Sequence, residues 1–462
     1  MGDWRPRLEF GDGFIHQRIV QALEADIAAG VLAPDTRLPT HRRLAETLGV
    51  GVGAVTRAYA EAEVRGLVTA HVGRGSFVAR PPERLSPAAV GPINLGLNLP
   101  PSAGAETRLS DSLARLRRRG DLLDHLDYAP APGFDSHRRA GAAWMGVSAG
   151  WDDLDWRRLI CTSGAQQAIA SALAACIRPG EALIVEEATF SGIKALAAHM
   201  NYQIVGARLD EEGLTPGGLD EAAAASGARA VYIQPLQNPT GRIMGLDRRK
   251  ALIEVARRRG VMIVEDDLYS AYAAAEGQDA PVPLARLAPD QVFYVNGLSK
   301  SLTPGLRMGY LVPPTGGDRM ARALAALRAI AFGPPGIGGL IAAQWIEDGT
   351  AAEVLAAHRA ELTARTGLAV AALGAVAERP ANTAATHLWL PMDELQAERA
   401  AARMLRAGVQ VTPPEAPQTA GSHTHGLRVC LGGPPNRAVF EEGLRRLAGA
   451  LAGVAEPALG MV

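Results

Sequence analysis

The chain has little cysteine, little lysine and no long apolar run. Its three cysteines, Cys161, Cys176 and Cys430, are odd in number and lack Cys-x-x-Cys spacing, which argues against a disulfide framework and against a thiolate zinc site. A reducing, cytoplasmic compartment fits them best. A bilayer span takes about 20 apolar residues, and the most apolar long segment, residues 321–345, is cut by Arg322, Arg328 and Gly333-Pro-Pro-Gly336. The N-terminus, Met1-Gly-Asp-Trp-Arg-Pro-Arg7, has charges and no apolar segment behind them, so no signal peptide is expected. Of 47 basic residues, 44 are arginines and three are lysines: Lys194, Lys250 and Lys300. Arginine stays protonated and forms no imine, whereas a partly desolvated lysine deprotonates and attacks an aldehyde. Imine chemistry in this chain therefore has three possible positions.

The composition is that of a globular protein: 462 residues suffice for two or three domains, with 48% hydrophobic and 21% charged residues. The net charge of −1 gives no reason to expect nucleic acid or membrane as a partner of the whole chain, so local charge must carry any such reading.

The first eighty residues are locally basic. Ile19, Val20, Leu23 and Ile27 recur at helical spacing and predict a helix over residues 15–29. Thr40 reads as the N-cap of a second helix over 41–48, stopped by Gly49, and a third is expected over 53–65 before Gly66. Helix, short glycine-containing turn and helix make a helix-turn-helix. Two short β runs, 67–70 and 76–78, then predict a hairpin with Arg74 at its tip. Between Arg37 and Arg74 six arginines face three glutamates, a net of +3, enough for phosphate contacts. Residues 80–92 hold four prolines and no periodicity, and read as a linker between a domain of residues 1–79 and a second unit of residues 93–462.

In that second unit, apolar runs beginning at Leu159, Ala182, Ala230, Val261 and Val292 alternate with alanine-rich helices. Short, fully apolar strands between helices predict a buried, mostly parallel, doubly wound α/β sheet, whose ligands bind at the carboxyl ends of the strands. Those ends carry, in order, Thr162-Ser163-Gly164-Ala165 opening a helix, Phe190, Asn238-Pro-Thr-Gly241, Asp266 with Tyr269 three residues on, and Ser299-Lys300 with Arg307 behind a Pro-Gly turn. A helix start cradles a phosphate, an aromatic face covers a ring, a carboxylate keeps a pyridine nitrogen protonated and a lysine takes an aldehyde: the parts that pyridoxal 5′-phosphate requires. Clustered acids at 265–267 could bind a divalent metal instead, but no histidine follows at ligand spacing. Lys194 and Lys250 read as surface residues of helices, and His423-Thr-His425 as a surface loop.

The first unit resembles the winged helix-turn-helix of the GntR family in Leu38-Pro-Thr-His-Arg-Arg-Leu-Ala45, Val55-Thr-Arg-Ala-Tyr59 and Gly73-Arg-Gly-Ser-Phe-Val78. The resemblance implies that double-stranded DNA is read by Thr40, His41, Arg42, Thr56, Arg57 and the wing's Arg74. It breaks at Gly51-Val-Gly-Ala54, where relatives offer polar side chains. The second unit resembles a fold-type I aminotransferase. That resemblance implies that Lys300 forms the Schiff base, Asp266 pairs with the ring nitrogen, Asn238 and Tyr269 hold the ring oxygen, and Phe190 stacks on the ring. It assigns the phosphate to Ser163, Gly164, Ala165, Ser299 and Arg307, with Tyr128 reaching the neighbouring subunit's phosphate, and the substrate α-carboxylate to Arg428. Gly297 stands where many relatives have a phosphate-binding Ser or Thr. Both units together resemble the MocR subfamily of GntR regulators, with a small-domain part from about residue 336. This likeness implies a head-to-tail homodimer that regulates transcription, sensing an amino acid, an amine or the cofactor itself. A working aminotransferase with an accessory DNA-binding domain is the alternative.

Overall fold

The structure, a computed structural model, describes residues 4–8, 14–71, 75–79, 91–102, 105–273 and 282–453. The chain divides into two compact units, Met1–Gly91 and Pro92–Val462. Among the described residues no helix is long and apolar enough to cross a membrane.

The first unit contains three helices, α1 (Ile15–Ala28), α2 (His41–Leu48) and α3 (Val52–Val64), then an antiparallel hairpin of β1 (Val68–His71) and β2 (Gly75–Val78). The Thr40 hydroxyl accepts the Arg43 N–H at 3.4 Å and starts α2, and Gly49, at φ 64°, ends it in the left-handed conformation. The expected α2 is found residue for residue, and the ends of α1 and α3 shift by one. Ile19, Val20 and Leu23 of α1 pack with Leu44, Val55, Ala58, Val68 and Val78 into one small core. The buried Tyr59 hydroxyl donates to the Pro39 carbonyl at 2.9 Å, and burial raises its pKa, which keeps it a donor.

The second unit opens with β3 (Ile93–Asn94), α4 (Ala105–Leu116) and α5 (Asp135–Ala149). Next come β4 (Ile160–Thr162), α6 (Ala165–Cys176), β5 (Ala182–Glu186), α7 (Ser191–Met200) and β6 (Gln203–Ala207), followed by a small ribbon of β7 (Leu209–Asp210) and β8 (Gly213–Leu214). The sheet continues with β9 (Ala230–Ile233), β10 (Met262–Asp266), β11 (Val292–Gly297) and β12 (Gly309–Val312). Its seven strands lie in the order β4-β12-β11-β10-β9-β5-β6. All neighbours run parallel except β12, which is antiparallel to both β11 and β4. The five apolar runs are β4, β5, β9, β10 and β11; β6 and β12 were not anticipated. Towards the C-terminus β13 (His387–Pro391) pairs with β15 (Gly426–Cys430), and β14 (Val409–Gln410) pairs with β3 from the start of the unit.

The first residue of β12 has no room for a side chain. A Cβ on Gly309 would lie 2.4 Å from the Gly164 carbonyl carbon and 2.6 Å from Thr162 Oγ1. Gly309→Ala should therefore pry β12 from the turn that opens α6 and cost about 3 kcal/mol in denaturant unfolding. Gly217→Ala, on a helix with open space around it, should be neutral or stabilise by up to about 1 kcal/mol. Equal effects of the two substitutions would contradict this packing.

Candidate functional site

The carboxyl ends of the sheet surround a cavity of about 160 Å³, lined among others by Phe190, Asn238, Asp266, Tyr269, Lys300 and Arg307. Each stands where a strand stops: Phe190 caps α7 after β5, Asn238 follows β9, Asp266 ends β10 and Lys300 lies just beyond β11. Ala165 and Ser299 also face it. Sequence order at strand ends has become proximity in space, and the sheet topology is the cause.

Lys300 Nζ donates to the Asn98 carbonyl at 2.6 Å, and its own carbonyl accepts from the Tyr272 hydroxyl. Burial lowers its pKa, helped by the charge of Arg428 and opposed by Cys430 and Asp266, so a larger share of the amine is neutral and nucleophilic. The other two lysines are spent differently. Lys250 lies on an exposed helix face near Asp247. Lys194, expected at the surface, is partly buried and donates to the carbonyls of Glu415, Ala416 and Gln418, tying α7 to a distant loop.

Asp266 accepts from the Tyr232 hydroxyl and from Gln234 Nε2 through one oxygen. Its other oxygen, Oδ1, is buried without a hydrogen-bond partner. Burial pushes the carboxyl up to about 6 against the hydrogen bond from Tyr232. A buried carboxylate with one unpartnered oxygen is what a protonated pyridine nitrogen would satisfy. The flanking acids are committed elsewhere. Glu265 accepts the N–H groups of Leu284 and Ala285, and Asp267 accepts from Tyr294 at 2.8 Å. Among the described residues no His, Cys, Asp and Glu side chains gather as a metal site.

At the start of α6, Arg307 adopts φ 51° and donates to the Ser163 carbonyl at 3.1 Å. Gly164, at φ 88°, begins α6 without a side-chain cap, and a Cβ there would come within 2.6 Å of Arg307 Nη2. Only glycine lets the guanidinium reach the helix start, which carries positive potential. The Ser163 N–H is taken by Gln167 Oε1 at 2.5 Å, and Ser163 is not among the residues that line the cavity. A Cβ at Gly297 would lie 3.2 Å from the Met308 carbonyl and 3.8 Å from Ala165.

Arg428, on β15, donates to Asn238 Oδ1 at 2.6 Å, to the Gly96 carbonyl at 3.0 Å and to Thr412 Oγ1. Tyr269 accepts from Asn98 Nδ2 at 3.1 Å, and burial raises its pKa, so the phenol remains a donor. Asn98 Nδ2 also meets His387 Nδ1 at 3.2 Å. Tyr128 is not in the pocket: it is 78% exposed and its ring lies tilted against Phe332, centroids 4.7 Å apart. Asn98, Thr412, Tyr232 and His387 were not read from the sequence. Gln234 was visible as the last residue before the Pro-Leu-Gln-Asn turn, and Asn98 had no periodic signal to mark it.

In the first unit, His41 Nδ1 lies 3.3 Å from Thr56 Oγ1 and its ring meets Tyr59 edge-on, joining α2 to α3. Arg42 and Arg57 are exposed, Thr40 is the cap described above, and Arg74 lies outside the described residues. Gly51 and Gly53 have open space around them, so the tip of α3 is smooth. His423-Thr-His425 is anchored: the His423 N–H and the Thr424 hydroxyl donate to Glu187.

Comparison with known proteins agrees with both units. Residues 15–78 match the bacterial regulatory proteins, gntR family, and residues 90–447 match aminotransferase class I and II. The HTH-type transcriptional regulator YdeF of Bacillus subtilis, itself uncharacterized, is 30% identical over 67% of this chain and 67% of its own. The HTH-type pyridoxine biosynthesis transcriptional regulator PdxR of Corynebacterium glutamicum is 27% identical over 70% of each. A probable rhizopine catabolism regulatory protein, MocR of Rhizobium meliloti, is 26% identical over 65% of each. In fold, the chain is similar to an archaeal alanine:glyoxylate aminotransferase, with a TM-score of 0.71 and 24% identity over 80% of this chain and 92% of that one. The chain belongs to the aminotransferase class I and II family through residues 90–447 and carries a gntR-family DNA-binding domain before them, the make-up of a MocR-type transcriptional regulator.

Proposed function

We propose that this protein is a pyridoxal-phosphate-dependent regulator of transcription, cytoplasmic and homodimeric, that senses an amino acid, an amine or the cofactor itself at Lys300. The observation that carries this reading is the shared cavity of Lys300 and Asp266, with Asp266 Oδ1 buried and unpartnered, in a chain that begins with a gntR-family domain. Pyridoxal phosphate, when bound, supplies an aldehyde and an electron-withdrawing ring. The protein's own groups divide the remaining work. Lys300 offers a depressed-pKa amine, and Asp266, ionised above about pH 6, offers a counter-charge to a ring nitrogen. Arg307 and the start of α6 hold a dianion. Arg428 holds an α-carboxylate, and Asn238 and the Tyr269 hydroxyl hold a ring oxygen. The exposed pair Tyr128 and Phe332, at 78% and 52%, supports a subunit contact through which Tyr128 reaches the partner's site. The first unit reads DNA through Arg42, Arg57 and the Thr56–His41 pair. A metabolic aminotransferase has no use for that unit, and its presence weighs against turnover as the main role.

Fluorescence anisotropy on DNA from upstream of the protein's own gene, with and without pyridoxal phosphate and candidate amines, tests the regulator. Ligand-dependent affinity is expected. Sequence-independent binding that ignores the cofactor would sink the reading. Lys300→Ala should remove the visible absorption band of the bound cofactor and the DNA response with it. Arg428→Ala should weaken the response to amino acids by about 10- to 100-fold and spare the response to the cofactor alone; an equal loss of both would contradict the carboxylate role.

Asp266 gives a pH test. Its carboxyl titrates near 6 in the folded chain against an ordinary 3.8, so folding is favoured by protonation and stability is lost as pH rises from about 4 to 6. Without cofactor, Asp266→Asn should be more stable than wild type by about 3 kcal/mol at pH 7 to 8, with the difference vanishing near pH 4. A difference that does not change with pH in denaturant titrations would show that the carboxylate is not penalised.

A further inference from the structure

The first strand after the linker leads into a bend that hydrogen-bonds to Lys300 and Tyr269 of the site. β3 is held to β14, with the Ile93 and Leu95 N–H groups donating to the Gly408 and Gln410 carbonyls at 2.8 and 2.7 Å. The Cys430 N–H donates back to the Leu95 carbonyl at 2.7 Å. Asn94 Oδ1 then accepts the N–H groups of Gly96 and Leu97, both at 2.9 Å, and bends the chain. At the bend a Cβ on Gly96 would lie 2.8 Å from the Val411 carbonyl carbon, so only glycine approaches this closely.

Two carbonyls on this short bend take the hydrogens of both ligand-binding cations. The Gly96 carbonyl accepts from Arg428 Nη2 at 3.0 Å and from Thr412 Oγ1 at 3.0 Å. The Asn98 carbonyl accepts from Lys300 Nζ at 2.6 Å. The Asn98 amide completes the hold by donating to Tyr269 and meeting His387. One bend of backbone therefore touches the amine, the carboxylate-binding guanidinium and the phenol. In sequence it lies directly after residues 80–92, which join it to the DNA-binding unit.

We propose that Ile93–Leu99, with Asn98 as its positioning residue, is the element that transmits occupancy of the pocket to the linker. This rests on the regulator reading above. When neutral Nζ condenses with an aldehyde, a C=N bond forms, both amine hydrogens leave with the aldehyde oxygen as water, and Nζ keeps at most one proton that it takes up. Its hydrogen bond to Asn98 is then lost or redirected. A carboxylate on Arg428 competes in the same way with the Gly96 carbonyl. Either event loosens the bend and, through Leu95 and Ile93, its pairing with β14, so that the change reaches residues 80–92.

Hydrogen exchange on the full chain tests the release directly, using pyridoxal phosphate and the stable adduct N-(5′-phosphopyridoxyl)-L-alanine as probes. Amides of residues 96–99 should exchange about threefold faster with either probe, with pyridoxal phosphate through loss of the Lys300 hydrogen bond and with the adduct, which leaves Lys300 free, through its carboxylate on Arg428. Those of Ile93 and Leu95, on the way to residues 80–92, should also exchange faster. Unchanged exchange across 96–99, while absorbance shows the probe bound, overturns the proposal. The second arm is DNA affinity. Asn98→Ala, and Asn98→Asp, which keeps the volume but has no side-chain N–H, should shift the pH at which the bound-cofactor band titrates. Both should shrink the ligand-dependent change in DNA affinity to less than about twofold at cofactor concentrations where the band is present. Wild-type responses in both variants overturn the proposal. Failure of the wild-type protein itself to change DNA affinity with any ligand would instead count against the regulator reading, and the exchange data still decide whether the bend is released.

Discussion

A sheet covered by helices on both faces has no place in its middle for a charge, and this constraint shapes the second unit. The strand interiors are apolar and buried, so every polar function is displaced to the carboxyl edge, where helices start and backbone N–H groups point outward. Asp266 is the extreme case. It sits at the last residue of β10, fully buried, with two donors on one oxygen and none on the other. Desolvation of that carboxylate is unfavourable in the free protein, and a cationic ring nitrogen relieves it. The proposed role of Asp266 as partner of a ring nitrogen rests on that desolvated, half-partnered carboxylate.

Close approach does the complementary work at the start of α6. Gly164 and Gly309 allow α6, β12 and Arg307 to meet with no side chain between them. The antiparallel strand β12 returns the chain from Lys300 past that meeting point, which places Arg307 across from the start of α6. In the first unit the equivalent constraint is modest: a capped α2, a polar His41–Thr56 link and a small core hold α3 in place. The start of α3 at Gly51 and Gly53 presents no polar side chain.

The parts legible in the sequence are those that local physics marks. Thr40 and Gly49 bracket α2 because a cap and a left-handed glycine are local devices. Lys300, Asp266 and Arg307 stood out because strand ends are where chemistry collects and because lysine is scarce. What could not be read depends on contacts between distant segments. Asn98 is paired with residues 171 and 289 positions away, and nothing in Gly-Leu-Asn-Leu-Pro announces them. β12 was hidden because a short strand after a Pro-Gly turn looks like a loop until its partners are known. Lys194 reads as a surface residue because its three carbonyl acceptors come from a loop more than 200 residues on. The wing's Arg74 lies outside the described residues.

The scarcity of lysine has a consequence for how faithfully this molecule can report an aldehyde. Aldehydes react with any neutral amine they meet, and an ordinary protein offers them many. Here one lysine is occupied by three carbonyls, another is an exposed amine near an aspartate, and the third stands in the pocket with its proton affinity lowered. The arginines that supply nearly all of the positive charge do not compete. Side-chain amines open to an aldehyde are thereby few.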